Sequence, residues 1–341
     1  MEMMNKNLTN RIQWVDTAKG IGLLCVILGH LNVPYLATWI YTFHMPLFFF
    51  LSGVVFSGRK YNFRDFLVRK ITSLIVPYFT LGGGILLVHC LICTIEGAPG
   101  TVYLDMLKNF IIQKHFWTVW FLACLFLVEI LYYGLDSLCS KRPVLATSVS
   151  AMICIFGLLR YRLGRGSLPW NLDVAFVAQF FFHVGFQLKK SQHLLDKVEK
   201  MNALGRVVCA LSALLLNAAT GLLCIRFSGE SMDMSIGMYG NEVLTILSAF
   251  SGIVAIILLS QMFSHKWVTY LGQNTMVIFG WHSRIVIVLC GYLYAYLGIF
   301  QSGGIVSQLL YAVTTFVIIL SVLIPTTERI KRSRIHSLFG L

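Results

Sequence analysis

The chain has 341 residues, of which 57% are hydrophobic and 12% charged, with a mean hydropathy of +0.77. Soluble domains carry about 25% charged residues, so this composition excludes a soluble globular protein, and residues 1–341 are expected to form one membrane-embedded domain with no separate soluble part. The formal net charge of +13 fits basic loops facing anionic lipid headgroups and gives no reason to invoke nucleic acid as a partner.

Apolar windows of helical length fall at about 16–36, 38–57, 71–95, 115–136, 143–160, 170–188, 205–227, 242–263, 268–295 and 304–325. Runs of this length match the hydrocarbon thickness of a bilayer. Backbone groups in lipid must be satisfied internally, which only helices or a closed barrel achieve, and these runs are too continuous for alternating barrel strands. The predicted fold is all-α, a polytopic integral membrane protein with about ten transmembrane helices. With the N-terminus inside, most Lys and Arg fall in cytoplasmic segments: Lys6, Arg11 and Lys19, then Arg59, Lys60, Arg64, Arg69 and Lys70, and later Lys189, Lys190, Lys197, Lys200 and Arg206. The positive-inside rule therefore predicts that both termini are cytoplasmic.

The first span opens with Asp16 and Lys19 and ends near His30. Lys19 and His30 are eleven residues apart, so on a helix they differ by about 20° around the axis and ~16 Å along it. Asp16, three residues before Lys19, shares the stripe and is placed to orient it. This arrangement reads either as an interfacial ion pair or as the mouth of a site for a phosphate-bearing donor. The second span runs back and begins with His44, so the two imidazoles are expected at a similar depth, joined by a short loop containing Pro34. An ionisable group within a span is costly and is a functional candidate by default, although a neutral imidazole can equally be a satisfied structural group.

The loop from Arg59 to Lys70 places basic residues at helical intervals around Phe63, Phe66 and Leu67, the pattern of an amphipathic interfacial helix whose cations can also meet nucleotide phosphates. Glu129, Asp173, Glu242, His282 and Arg284 lie within or beside later spans and are expected to converge on a polar cavity, because buried ions need partners. Trp117, Trp120 and Trp170 suit an aromatic belt first and sugar stacking second. Arg160, Arg162 and Arg165 form a basic outer loop, either a snorkelling helix end or a contact for an anionic or glycan partner. The nine cysteines sit mostly in apolar runs without a metal-ligand spacing, so no metal is expected. No internal repeat is evident, which weighs against the alternative of a transporter or flippase for an envelope glycan or lipid-linked precursor.

Asp16-x-x-Lys19 followed by His30, then Phe43-His44-Met45-Pro46-Leu47-Phe48-Phe49-Phe50-Leu51-Ser52-Gly53, resembles the membrane acyltransferase-3 family, in particular the branch related to fucose 4-O-acetylases. The likeness continues through Trp120-Phe121-Leu122, Leu168-Pro169, Tyr239-Gly240-Asn241 and Leu271-Gly272-Gln273-Asn274-Thr275 to His282. The resemblance implies a bacterial cytoplasmic-membrane O-acyltransferase that takes acetyl from cytosolic acetyl-CoA to a hydroxyl of a cell-envelope glycan or lipid-linked sugar. It makes His30 the leading general base, with His44 and Asp16 beside it in the catalytic set. Lys19, Arg69 and Lys70 would hold CoA, and Trp120, Asn241, Glu242 and His282 would meet the acceptor. The family pairs an arginine with a histidine eleven residues later; this chain has Lys19 there, which keeps the charge and loses the bidentate fork.

Overall fold

The computed structural model describes residues 12–31, 33, 35–113, 117–191, 197–198, 200–263, 265–300 and 304–341. Lys6, Arg11, Pro34 and Lys114, together with the first two residues of the window at 115–136, lie outside the described residues. The described chain is mostly helical, with no strand beyond an isolated bridge between Asp233 and Met238.

Among the described residues fifteen α-helices follow in order: α1 Gln13–Gly29, α2 Leu36–Tyr41, α3 His44–Val55, α4 Phe63–Lys70, α5 Val76–Ile95, α6 Gly100–Ile112, α7 Trp120–Cys139, α8 Pro143–Arg162, α9 Leu172–Lys190, α10 Ala203–Ser228, α11 Glu242–Met262, α12 Lys266–Gln273, α13 Thr275–Trp281, α14 Val288–Leu297 and α15 Ile305–Arg332. Two π-helical segments interrupt them, Ile71–Ile75 before α5 and His282–Ile287 before α14.

Among the described residues eight helical stretches, not ten, are long and apolar enough to cross a membrane. The two windows outside that count, which rests on length and composition alone, are α1 and α9. Helix α1 has 17 residues and stops at Gly29, where the apolar window ran to residue 36. Helix α9 carries Asp173, Gln179, His183, Gln187, Lys189 and Lys190, polar groups that an interior helix can hold because neighbouring helices satisfy them. Two predicted spans are also broken. The window at 38–57 divides into α2 and α3 around Phe43, whose φ of −139° and ψ of −23° are not helical. The window at 268–295 divides at Asn274, with φ −126° and ψ 34°. Helix α6, outside every apolar window, is a further helix with Phe110 buried.

Lipid is as apolar as a leucine side chain, so helices in it associate through close packing and interhelical hydrogen bonds. Both are present. Gly53 of α3 faces the Phe182 carbonyl of α9, and Gly185 of α9 faces the Phe50 carbonyl of α3, so closely that a Cβ at either would overlap the facing oxygen. Gly20 of α1 and Gly272 of α12 repeat the device against the Val268 and Asp16 carbonyls. Polar pairs then fix the helices in register: Ser150 Oγ donates to Gln179 Oε1 at 2.9 Å and Gln179 Nε2 donates to the Ser150 carbonyl at 2.6 Å, joining α8 to α9. Asn217 Nδ2 donates to the Ser248 carbonyl at 2.7 Å and Ser248 Oγ returns to the Asn217 carbonyl at 3.0 Å, joining α10 to α11. At the centre Phe48, Phe49, Phe121 and Phe279 form an aromatic layer, with the Phe49 and Phe121 rings 4.9 Å apart.

Candidate active site

A helix end, a kink and a π-helical segment deliver three histidines to one place. His30 caps the C-terminus of α1, His44 opens α3 at the Phe43 kink, and His282 begins the π-helical segment after α13. A π-bulge inside a helix is often found at a functional site. The three line a cavity of about 290 Å³ together with Tyr41, Trp117, Trp120, Asp233 and Arg284.

Hydrogen bonding fixes how each ring is used. A backbone carbonyl can only accept, so a ring nitrogen bonded to one must carry the proton. His30 Nδ1–H donates to the Val26 carbonyl at 2.8 Å and His44 Nδ1–H to the Ile40 carbonyl at 2.9 Å. His282 Nδ1–H donates to the carbonyls of Phe279 and Ile278 at 2.8 and 3.1 Å. All three neutral rings therefore present Nε2 as the basic nitrogen. The Nε2 of His282 stands 3.4 Å from His30 Nδ1, and the two rings meet edge to face with centroids 4.8 Å apart. His282 is fully buried while His30 is half-buried, so His282 backs His30 and His30 faces the cavity. Protonation of His30 at Nε2 places positive charge beside an accepting lone pair on His282, an arrangement suited to a general base held by a second group.

The other wall comes from two loops. Thr118 Oγ1 donates to the Gly280 carbonyl at 2.7 Å, tying the segment before α7 to α13. Asp233 caps a short turn through Oδ1, which accepts from Ser235 N at 2.8 Å and Ser235 Oγ at 2.6 Å. Neither Asp233 nor Tyr41 stood out in the sequence; the Asp-x-Ser turn is a capping pattern, and nothing local to it says that it faces His30. Among the described residues no group of three His, Cys, Asp or Glu is spaced to hold a metal ion.

The remaining predicted site residues lie elsewhere. Asp16 and Lys19 line a second cavity of about 550 Å³ with Lys60, Lys189 and Gln273, and Asp16 Oδ2 accepts from Gln273 Nε2 at 3.0 Å. Arg69 and Lys70 line an adjoining cavity of about 560 Å³. There the Arg69 guanidinium lies over the Tyr61 ring at 4.1 Å, and Lys70 pairs with the buried Glu129 at 2.6 Å. Asn241 caps α11, accepting from Leu244 N at 3.1 Å, and Glu242 pairs with Arg162 at 3.2 Å; neither lines the histidine cavity. The expected convergence of five ionisable groups is thus corrected. His282 and Arg284 share the histidine cavity, whereas Glu129, Asp173 and Glu242 each sit apart from it. Of the three tryptophans, Trp117 and Trp120 reach the cavity and Trp170 packs on Tyr78.

The cavities open towards opposite ends of the same helices. On α1, Lys19 and His30 are ~16 Å apart along the axis. On α3, Met45 lines the histidine cavity and Ser52 the Arg69 cavity, ~10 Å apart, with Phe48 and Phe49 between them. A model of the family described as an acyltransferase domain matches residues 12–324, nearly the whole chain. The chain belongs to the acyltransferase-3 family. No match was found among curated proteins or among solved structures. As a member of the acyltransferase-3 family with multiple membrane-crossing helices, it is a membrane acyltransferase.

Proposed function

We propose that this acyltransferase moves an acetyl group from cytosolic acetyl-CoA to a hydroxyl of a cell-envelope sugar or polysaccharide, in the bacterial cytoplasmic membrane and in the branch of the family related to fucose 4-O-acetylases. The single observation that carries the reading is the bonding of His30, whose Nδ1–H is held by the Val26 carbonyl with His282 behind it, leaving Nε2 for the cavity. A sugar hydroxyl gives its proton to that nitrogen as its oxygen attacks the thioester carbonyl. The tetrahedral intermediate collapses with loss of the CoA thiolate, which takes the proton, leaving an O-acetyl sugar and free CoA.

Lys19, Arg69 and Lys70 are assigned to the CoA phosphates. The clustering of Lys60 and Lys189 with Lys19 supports this, since phosphate binding is favoured where several cations line one wall. The pairing of Lys70 with Glu129 makes Arg69 the freer charge of that pair. A pantetheine arm passing along α1 and α3 would bring the thioester from the basic cavities to the histidines. Both termini are then cytoplasmic, as the basic segments predict.

The test is acetyl transfer by purified membranes supplied with acetyl-labelled acetyl-CoA and envelope glycans. His30→Ala is expected to lower kcat by about 10²–10⁴-fold, and Lys19→Ala to raise the KM for acetyl-CoA with kcat little changed. Undiminished transfer by His30→Ala would remove it as the base; an unaltered donor dependence would remove Lys19 from the CoA site.

A further inference from the structure

Arg284 has no role in the reaction as described, yet it is held in place from both ends. It lies two residues beyond His282 in the π-helical segment and lines the histidine cavity. Its carbonyl accepts from His89 Nε2 at 3.0 Å, and its guanidinium carbon stands 5.6 Å from the centre of the Trp117 ring, a cation–π distance. His89 in turn packs on Trp117 with ring centroids 4.3 Å apart. Trp117 sits with φ at +46°, a left-handed conformation that a bulky residue adopts only when the surroundings impose it. The structure thus fixes Trp117, and Trp117 fixes Arg284.

What the guanidinium lacks is a counter-ion. Arg59, Lys70, Arg162, Lys190 and Lys331 each have a carboxylate within 4.0 Å; among the described residues Arg284 does not. The carboxylate that lines the same cavity, Asp233, is bonded through Oδ1 to Ser235. An arginine inside a membrane span is costly, and a planar five-donor fork without a carboxylate is a site for one, or for a phosphate.

We propose that the acceptor is an acidic sugar, bearing a carboxylate or phosphate that Arg284 binds while the hydroxyl to be acylated faces His30 Nε2. Arg284 sets acceptor specificity through charge, and Asp233 repels the anionic group from its own part of the wall while offering Oδ2 to sugar hydroxyls. The identification of the sugar as an acyl acceptor rests on the acetyl-transfer reading; the anion site itself does not.

The experiment is equilibrium binding of methyl glucuronoside, glucose 1-phosphate and methyl glucoside to the detergent-purified full chain without acetyl-CoA. At least one anionic sugar is expected to bind about tenfold or more tightly than the neutral one, and the better of the two identifies the anionic group. Arg284→Gln should abolish that preference and leave methyl glucoside binding unchanged, which also reports an intact cavity, while Arg284→Lys should restore part of it. Arg165→Gln, which removes a charge from the loop after α8, should leave the preference intact. Equal binding of neutral and anionic sugars, a preference that survives Arg284→Gln, or its equal loss in Arg165→Gln would each overturn the proposal. Acetyl-CoA is then added: a charge preference without acetyl transfer would leave the anion site standing and overturn the acetyl-transfer reading instead.

Discussion

The ring of His30 is set by two atoms that are not its own. The Val26 carbonyl selects the tautomer, and His282 Nε2 provides the accepting group behind the ring. Replacing His282 with Gln should therefore lower kcat by roughly tenfold or more while the KM for acetyl-CoA stays near that of the native chain; a variant that raised only that KM would assign His282 to donor binding. His30, His44 and His282 were all legible in the sequence as costly polar groups in apolar runs. Their division of labour was not, because it depends on contacts between residues 252 positions apart. Asp233 was invisible for the same reason: its role comes from where α10 and α11 carry their connecting loop, not from any local pattern.

Helix breaks and small residues place the site. The kinks at Phe43 and Asn274 and the π-helical turn at His282 aim side chains that straight spans would direct elsewhere. Hydropathy located the apolar runs but smoothed over these breaks, and α1, one residue short, and α9, rich in polar groups, lie outside the eight stretches that length and composition alone single out. The α3–α9 crossing rests on Gly53 and Gly185, where a side chain would meet backbone that cannot move aside. Gly53→Leu is predicted to lower the thermal unfolding midpoint in detergent, by a loss of about 1–3 kcal/mol or more. Gly83 of α5, with open space around its Cα, is the matched control, and Gly83→Ala should be neutral to slightly stabilising. Equal sensitivity at the two positions would contradict the packing described for that crossing.

At the scale of the whole molecule, a basic end and a histidine end are joined by α1 and α3 through an aromatic layer. The opening motif carried this polarity legibly, since the phase of Lys19 and His30 on one helix can be read from spacing alone. The wider basic surroundings, Lys60 and Lys189 beside Lys19, come from distant segments and needed the fold. With α1 and α9 crossing beside the eight apolar stretches, single cysteines introduced at Ser337 and Gly166, in a chain whose exposed Cys209 is replaced, should react with an impermeant maleimide from opposite faces of the membrane, Ser337→Cys from the cytoplasm. Labelling of both from one face would contradict the proposed orientation.

The most direct test of the central claim uses sealed vesicles carrying the native chain or His30→Ala, with acetyl-labelled acetyl-CoA supplied on the cytoplasmic side and an acidic sugar acceptor on the other. The expected result is label recovered as an O-acetyl ester of the sugar with the native chain, reduced by about 100-fold or more with His30→Ala. Ester formation at the native rate without the His30 imidazole would contradict it.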